Sequence, residues 1–191
     1  MEKQIKYTVR ITTYNRAYCV LDAVESVLSS VKIAGVCGKT EMIIVDDGSV
    51  DNTDQIIHEY IKKHPEFDIR YHKLEKNSGV SVARNEGCRL AKGEWIVDLD
   101  SDDKILPEAF SVYESYIEKY PNVEVFAFGA YDSKGNLTVH VKDGEYICKE
   151  WKEYFDKGKY YDGEFQHVIK RYIDKEYPFK VLPKNLCLKM P

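Results

Sequence analysis

The sequence predicts an α/β protein built on a mainly parallel sheet that is flanked by helices. Two observations predict this class. Short apolar runs alternate with stretches of helical periodicity, an order typical of parallel strands joined by helical crossovers. Polar clusters follow three of the apolar runs, and such sheets bind ligands at the carboxyl ends of their strands. The predicted strands span residues 7–12, 42–45, 69–73, 95–100 and 123–130.

The first elements are predicted by side-chain type and spacing. Residues 7–12 are rich in β-branched side chains, which favour a strand. Residues 17–31 place apolar side chains at helical spacing. Residues 42–45 form a short, continuous apolar run, which is typical of a strand buried on both faces. A helix then begins at residues 51–53 and ends before Pro65.

The alternation continues to residue 130. Residues 69–73 predict a third strand, and residues 80–91 predict a helix that Gly93 ends. Residues 95–100 predict a fourth strand that runs into an acidic segment. A further helix, from Pro107 to Tyr120, precedes the fifth strand, and Pro121 ends it.

The pattern is weaker after residue 131. The predicted elements there are a hairpin strand, two helices and a short strand, at residues 137–141, 149–155, 164–172 and 179–182 respectively. We therefore predict a core over residues 1–130 and a divergent segment of the same domain over residues 131–191.

Composition excludes several classes of protein. A chain of 191 residues with 43% hydrophobic content predicts one domain with an apolar core. A net charge of −4 gives no basic field for nucleic acid. Five cysteines, an odd number without a close pair, argue against a disulfide framework or a zinc site. The polar residues 1–6 are not a signal peptide, and no apolar stretch is long enough to span a bilayer. We therefore expect a cytoplasmic protein, and peripheral contact with the inner membrane face stays open.

The acidic segment at residues 98–103 indicates a cation. Asp100, Asp102 and Asp103 follow the predicted fourth strand, and Asp98 lies two residues before Asp100. Carboxylates this close repel each other, and a hard divalent ion shared with a phosphate would neutralise them. A solvated acidic turn or a helix cap is the alternative.

Two further clusters are weaker when taken alone. Residues 46–49 form a polar turn after the second predicted strand. Residues 77–85 open a helix and bring backbone donors and the Arg84 guanidinium to the same edge, which suits an anionic ligand. The absence of a Gly-x-x-x-x-Gly-Lys loop and of a Gly-x-Gly-x-x-Gly fingerprint argues against kinases, ATPases and dinucleotide enzymes.

Four segments together resemble family 2 glycosyltransferases in order and spacing. The resemblance covers about residues 5–130 and implies the GT-A fold, with its Rossmann-like sheet. It also implies a nucleotide-sugar donor, most often UDP-linked, an Mn²⁺ or Mg²⁺ cofactor, and transfer with inversion. The segments are residues 12–16 (TTYNR), 43–53 (IIVDDGSVDNT), 77–87 (NSGVSVARNEG) and 93–103 (GEWIVDLDSDD).

The resemblance assigns roles to the nucleotide-binding residues. Thr12 and Tyr14 would line the uracil pocket, and Asp47 would accept the uracil N3–H. Arg84 would lie near the base or the diphosphate. Asp100 would face the ribose and the metal.

Asp100 and Asp102 would form the Asp-x-Asp metal motif, with Asp102 as the direct ligand. A metal that bridges the diphosphate would stabilise the departing nucleoside diphosphate. A base on the opposite side would remove the proton of the acceptor hydroxyl.

The catalytic base is where the sequence departs from the family pattern. The family carries a Glu-Asp pair about 60 residues after Asp-x-Asp, with the Asp as base, and here Glu164 is followed by Phe165. Glu164 is therefore the predicted catalytic residue, and Asp162 is a weaker candidate. A surface role for Glu164 in a first helical turn stays open. The chain also stops at Pro191, earlier than the family pattern, which is expected of a shortened chain.

The predicted function is sugar transfer to a saccharide or lipid-linked saccharide acceptor in surface polysaccharide synthesis. One alternative is a nucleotide-sugar-binding domain with little or no transfer. Another is a phosphatase that uses Asp98 and Asp100 as a nucleophile pair. Such a pair is expected after the first strand, and a Thr or Val is expected where Asp102 stands, which argues against it.

Overall fold

A computed structural model of the chain describes residues 4–138 and 165–181. Within these residues, six strands form one sheet in the order β3-β2-β1-β4-β6-β5. The strands are β1 (Tyr7–Thr13), β2 (Thr40–Asp46), β3 (Asp68–Lys73), β4 (Trp95–Asp100), β5 (Val125–Gly129) and β6 (Phe165–Lys170). The helices are α1 (Val20–Ile33), α2 (Thr53–Lys63), α3 (Val80–Leu90), α4 (Ala109–Lys119) and α5 (Arg171–Glu176), and a 3₁₀ turn spans Cys37–Lys39.

The first four strands confirm the predicted α/β class. β1 pairs in parallel with β2 and with β4, and β2 pairs in parallel with β3. Every residue of β1 and of β2 is buried, because these central strands have helices on both faces. Of the two core clusters, one includes Val24 of α1 and Phe110 of α4, and the other includes Ala83 of α3 and Ile173 of α5.

β6 corrects the helix predicted at residues 164–172. It is a strand over Phe165–Lys170 and pairs antiparallel with both β4 and β5, and α5 begins only at Arg171. Val168 packs into one core cluster and Ile169 into the other, so successive side chains face opposite sides of the sheet. Pairing with two neighbouring strands and burial of side chains on both faces of the sheet therefore stabilise a strand here.

The remaining predictions after residue 131 have mixed outcomes. Tyr131 and Leu137 form an antiparallel bridge, which agrees with the start of the predicted hairpin. The strand predicted at residues 179–182 is wrong over residues 179–181, which are not in a strand. There, the backbone of Phe179 hydrogen-bonds to the side chain of Asn85 instead. The helix predicted at residues 149–155 lies outside the described residues.

No helix in the described part of the chain is both long enough and apolar enough to cross a membrane.

Candidate functional site

The site lies where β1, β2 and β4 end side by side. The strand register places Thr12 opposite both Val45 and Asp100, and Thr13 opposite Asp46. The polar segments after these three strands therefore meet at one edge of the sheet, as the sequence predicts. Thr12 Oγ1 is 3.3 Å from Asp100 Oδ1 and donates to it, which links the first strand to the acidic segment.

The loops after β1 and β2 are joined through Asn15. Its backbone N–H donates to Ser49 Oγ at 2.8 Å, and its side-chain Oδ1 accepts from the Val50 N–H at 2.8 Å. Asn15 has a φ of 53°, which Asn tolerates better than most residues. These bonds fix the loop that carries Tyr14, whose side chain is 41% exposed at the predicted base-binding side.

Asp47 is buried and joins the loop after β2 to the start of α3. Its carboxylate accepts the Ser78 N–H at 2.7 Å and the Gly79 N–H at 2.8 Å. A carboxylate has about four acceptor positions, so two bonds leave room for a third donor from a ligand. The sequence predicts only the ligand contact of Asp47; the structure adds this second role in holding residues 78–79.

Arg84 forms an ion pair with Asp100. Its guanidinium nitrogen lies 2.9 Å and 3.2 Å from the two carboxylate oxygens of Asp100. The Phe179 ring lies under the guanidinium, 5.3 Å from Cζ to the ring centroid, and helps to orient it. The Asn85 amide fixes the Phe179 backbone through two hydrogen bonds, of 3.0 Å and 2.9 Å. Asn85 and Phe179 were not predicted as site residues.

Asp102 is paired with a different arginine. Arg16 Nη1 lies 3.0 Å from Asp102 Oδ2 and donates to the Tyr18 hydroxyl at 2.6 Å. The Asp102 side chain is 48% exposed, as is that of Asp100. Arg16 stands in one of the four family-like segments, but the sequence assigns it no role.

The carboxylates of Asp100 and Asp102 suit a divalent metal that a diphosphate also binds. Both are half-exposed hard oxygen donors on one short turn, which the bond from Asp103 N–H to Asp100 C=O closes at 3.0 Å. In residues 4–138 and 165–181, no group of three or more His, Cys, Asp or Glu side chains could hold a metal ion. One or two carboxylates from these residues, with phosphates and water as further ligands, would match the usual coordination of Mg²⁺.

Asp98 belongs to a buried network and not to the acidic site. Arg10, fully buried in β1, donates from Nε and Nη2 to the two Asp98 oxygens at 2.6 Å each. Its Nη1 also donates to Asp174 of α5 at 2.5 Å and to the Arg84 carbonyl at 2.8 Å. Burial alone would lower the pKa of Arg10, but the charges and hydrogen bonds of Asp98 and Asp174 raise it overall.

This network corrects the expectation that a metal neutralises Asp98, because Arg10 does so. It also argues against the phosphatase alternative, since both oxygens of the supposed nucleophile bind Arg10. The signal in the sequence is a lone arginine within the β-branched run of the first strand, where a charge must have a partner if it is buried.

The predicted base, Glu164, and its weaker alternative, Asp162, lie outside the described residues. Phe165 is the first residue of β6, where it pairs with Gly129 of β5. Because β6 runs antiparallel to β4, it begins at the edge where β4 ends. The Gln166 side-chain amide donates to the Asp98 carbonyl at this edge. Phe165, the residue after Glu164, therefore lies at the same edge of the sheet as Asp100.

The comparison with known sequences gives one family. The sequence model described as Glycosyl transferase family 2 matches residues 8–182. An uncharacterized glycosyltransferase of Mycoplasma pneumoniae is 30% identical over 194 residues, covering 98% of this chain and 57% of the relative. The poly-beta-1,6-N-acetyl-D-glucosamine synthase of Staphylococcus epidermidis is 38% identical over 99 residues, covering 52% of this chain and 22% of the relative. The matched region thus covers little more than half of the Mycoplasma relative and less than a quarter of the polysaccharide synthase.

Solved structures confirm the predicted GT-A fold. Staphylococcus aureus TarS in complex with UDP-GlcNAc has a TM-score of 0.64 at 20% identity, covering 90% of this chain and 47% of TarS. A mannosyltransferase of Pyrobaculum calidifontis in complex with GDP-Man and Mn²⁺ has a TM-score of 0.65 at 17% identity. The match covers 92% of this chain and 47% of the mannosyltransferase. The family model spans most of the sequence, and the fold agrees with it. The chain belongs to glycosyl transferase family 2.

Proposed function

We propose that this chain carries the donor site of an inverting glycosyltransferase that uses a UDP-linked sugar. One observation supports this most strongly: three strand ends and the start of α3 bring Asp47, Arg84, Asp100 and Asp102 to a single edge of the sheet. The edge combines acceptors for a base, a guanidinium for phosphate, and two half-exposed carboxylates.

The nucleotide would lie along this edge. Tyr14 offers an exposed ring at the base side, and the buried Asp47 carboxylate offers an acceptor for the uracil N3–H. Thr12 and Asp100 lie beside each other toward the ribose. Arg84 is free to exchange Asp100 for a phosphate oxygen, because a guanidinium binds either anion through paired N–H donors.

Asp100 and Asp102 would hold Mn²⁺ or Mg²⁺ together with the diphosphate. When bound, the ion stabilises the negative charge of the departing nucleoside diphosphate. The mannosyltransferase with GDP-Man and Mn²⁺ supports a metal of this kind in the fold, and TarS with UDP-GlcNAc supports a UDP-linked donor.

The attack on the sugar needs a base for the acceptor hydroxyl. Glu164 is our candidate, because it immediately precedes Phe165 at the edge where β4 ends. Replacement by Gln removes the basic carboxylate at nearly constant size. Glu164→Gln is expected to slow transfer by about 10²–10⁴-fold and to leave UDP affinity near that of the wild type. Near wild-type turnover would exclude Glu164 as the base.

For the acceptor we propose a saccharide, free or lipid-linked, in surface polysaccharide synthesis. The polysaccharide synthase of Staphylococcus epidermidis supports this class of product. The cytoplasmic location stays a prediction, and contact with the inner membrane face stays open.

A screen of nucleotide sugars for donor hydrolysis in Mn²⁺ tests the proposal. We expect one donor to be hydrolysed faster than the others, and Asp102→Asn to abolish its hydrolysis. Tight UDP binding without hydrolysis or transfer of any donor would instead favour the alternative, a binding domain with little activity. The departure from the family pattern at Phe165 is the observation that favours this alternative.

A further inference from the structure

Each carboxylate of the Asp-x-Asp motif is paired with its own arginine. Arg84, on α3, holds Asp100. Arg16, in the loop after β1, holds Asp102 with 3.0 Å between Nη1 and Oδ2. The two arginines come from different segments of the chain, and each pairs with a different carboxylate of the motif. Both proposed metal-binding carboxylates therefore have counter-cations within the chain itself.

We propose that Arg16 is a second phosphate-binding cation of the donor site, and that it competes with the divalent ion for Asp102 until the nucleotide binds. The inference rests on the proposed function of the same site. A metal that arrives alone must displace Arg16 from Asp102. A metal that arrives with a nucleoside diphosphate leaves Arg16 a new anionic partner, so the two ligands favour each other's binding.

The exposure of both side chains keeps the free-energy cost of moving Arg16 from Asp102 to a phosphate low. The side chain of Arg16 is 37% exposed and that of Asp102 is 48% exposed, so water solvates both during the exchange. Ion pairs this exposed contribute about a twofold to fivefold bias. The Tyr18 hydroxyl accepts from Arg16 at 2.6 Å, and the Tyr18 ring lies 5.9 Å from the guanidinium carbon. Tyr18 thus gives the guanidinium a second partner beside Asp102.

The neighbouring lysine provides a matched control. Lys104 lies two residues after Asp102, and its Nζ is 2.8 Å from Asp22 Oδ2. Lys104→Met removes one positive charge from the loop that carries Asp102, but it leaves the pair of Arg16 with Asp102 intact. Arg16→Met also removes one positive charge, and it breaks that pair. The difference between the two variants therefore isolates the effect of the pair.

The test measures Mn²⁺ binding to the full chain by electron paramagnetic resonance, and UDP binding by titration calorimetry. Without nucleotide, Arg16→Met is expected to bind Mn²⁺ about twofold to fivefold more tightly than the wild type. With Mn²⁺ present, it is expected to bind UDP about tenfold more weakly, since a charge-assisted bond to phosphate is lost. Arg16→Lys is expected to recover part of the UDP affinity, and Lys104→Met to resemble the wild type in Mn²⁺ affinity.

The outcomes separate this inference from the proposed function. If the wild type binds Mn²⁺ and UDP, but Arg16→Met equals the wild type in both, the inference is wrong and the proposed function stands. If Arg16→Met only weakens Mn²⁺ binding, Arg16 does not compete and the inference is wrong. A wild type that binds neither Mn²⁺ nor UDP would overturn both.

Discussion

Asp47 and Gly79 are joined across two loops, with the Gly79 N–H donating to Asp47 Oδ2 at 2.8 Å. The same carboxylate accepts the Ser78 N–H through its other oxygen. One buried side chain therefore connects the end of β2 to the start of α3, the helix that carries Arg84. The base side and the phosphate side of the proposed site are positioned together.

Asp47→Ala is expected to weaken UDP binding by about 1.5–3 kcal/mol, because a hydrogen bond to a charged acceptor is lost. Titration calorimetry in Mn²⁺ measures the change. Ser78→Ala is the control, because the Ser78 backbone N–H that binds Asp47 remains. Unchanged UDP affinity in Asp47→Ala would show that Asp47 only holds residues 78–79 and does not bind the nucleotide.

The loop after β2 lies close to the loop before α3, and substitutions at Gly48 test this approach, with Gly35 as the control. Both have positive φ, 76° and 67°, so both pay a similar backbone cost when replaced by Ala. A Cβ at Gly48 would lie 2.6 Å from the backbone carbonyl carbon of Lys76, whereas nothing lies within 4 Å of one at Gly35. Gly48→Ala is expected to lower both the melting temperature and UDP affinity, and Gly35→Ala to lower only the melting temperature. Equal UDP affinity in the two variants would contradict this arrangement.

Loss of the buried Arg10 charge is expected to lower the free energy of unfolding far more than loss of an exposed arginine charge. Arg10→Met leaves the Asp98 and Asp174 carboxylates without their cation and is expected to cost about 3–5 kcal/mol of unfolding free energy. Arg89→Met is the control, because its pair with Glu86 lies on the exposed face of α3 and is worth about 0–1 kcal/mol. Chemical denaturation measures both, and similar losses in the two variants would show that the network does not hold the sheet and α5 together.

Cys88 is expected to resist alkylation. Burial, and after it the hydrogen bond to Asp174, raises the pKa of the Cys88 thiol from 9.0 to about 12. At pH 8 the reactive thiolate is then on the order of one part in 10⁴. The folded chain keeps a proton that the unfolded chain loses above about pH 9, so this thiol lowers stability as the pH rises beyond that value.

Iodoacetamide labelling at pH 8, followed by peptide mass spectrometry, measures this resistance. The half-buried Cys37 is the internal reference. Cys88 is expected to be labelled far more slowly than Cys37 in the native protein, and at a similar rate in denaturant. Equal native rates would contradict the buried position of Cys88.

The sequence predicts the parallel part of the fold because its signals are local. The runs at residues 7–12 and 42–45 each identify a buried strand without reference to the rest of the chain. β6 could not be predicted in this way, because its strand conformation depends on pairing with β4 and β5. The local pattern at residues 164–172 favours a helix, and long-range pairing overrides it.

The same distinction applies to the site. Asp47 and Asp100 lie at the same edge of the sheet because β2 and β4 both run parallel to β1, a relationship that can be predicted from the order of the elements. Arg10 and Asp174 are 164 positions apart, and no local pattern connects them. The pairing of Arg16 with Asp102 also depends on how two loops fold at the sheet edge. The predictions for Glu164 remain to be tested by experiment.

The central claim is that Asp100 and Asp102 form, with a metal, the diphosphate end of a donor site. Its most direct test is titration calorimetry of UDP onto the full chain, once with Mn²⁺ and once with EDTA. Without the metal, a diphosphate that binds Arg84 and Arg16 would leave Asp100 and Asp102 unpaired beside it. These carboxylates would then repel the diphosphate, so EDTA is expected to weaken binding by about tenfold or more. Asp102→Asn is expected to remove most of this difference. Asp68→Asn is expected to retain it, because Asp68 is exposed at the start of β3, at the opposite edge of the sheet. Equal UDP affinity of the wild type in Mn²⁺ and in EDTA would contradict the account.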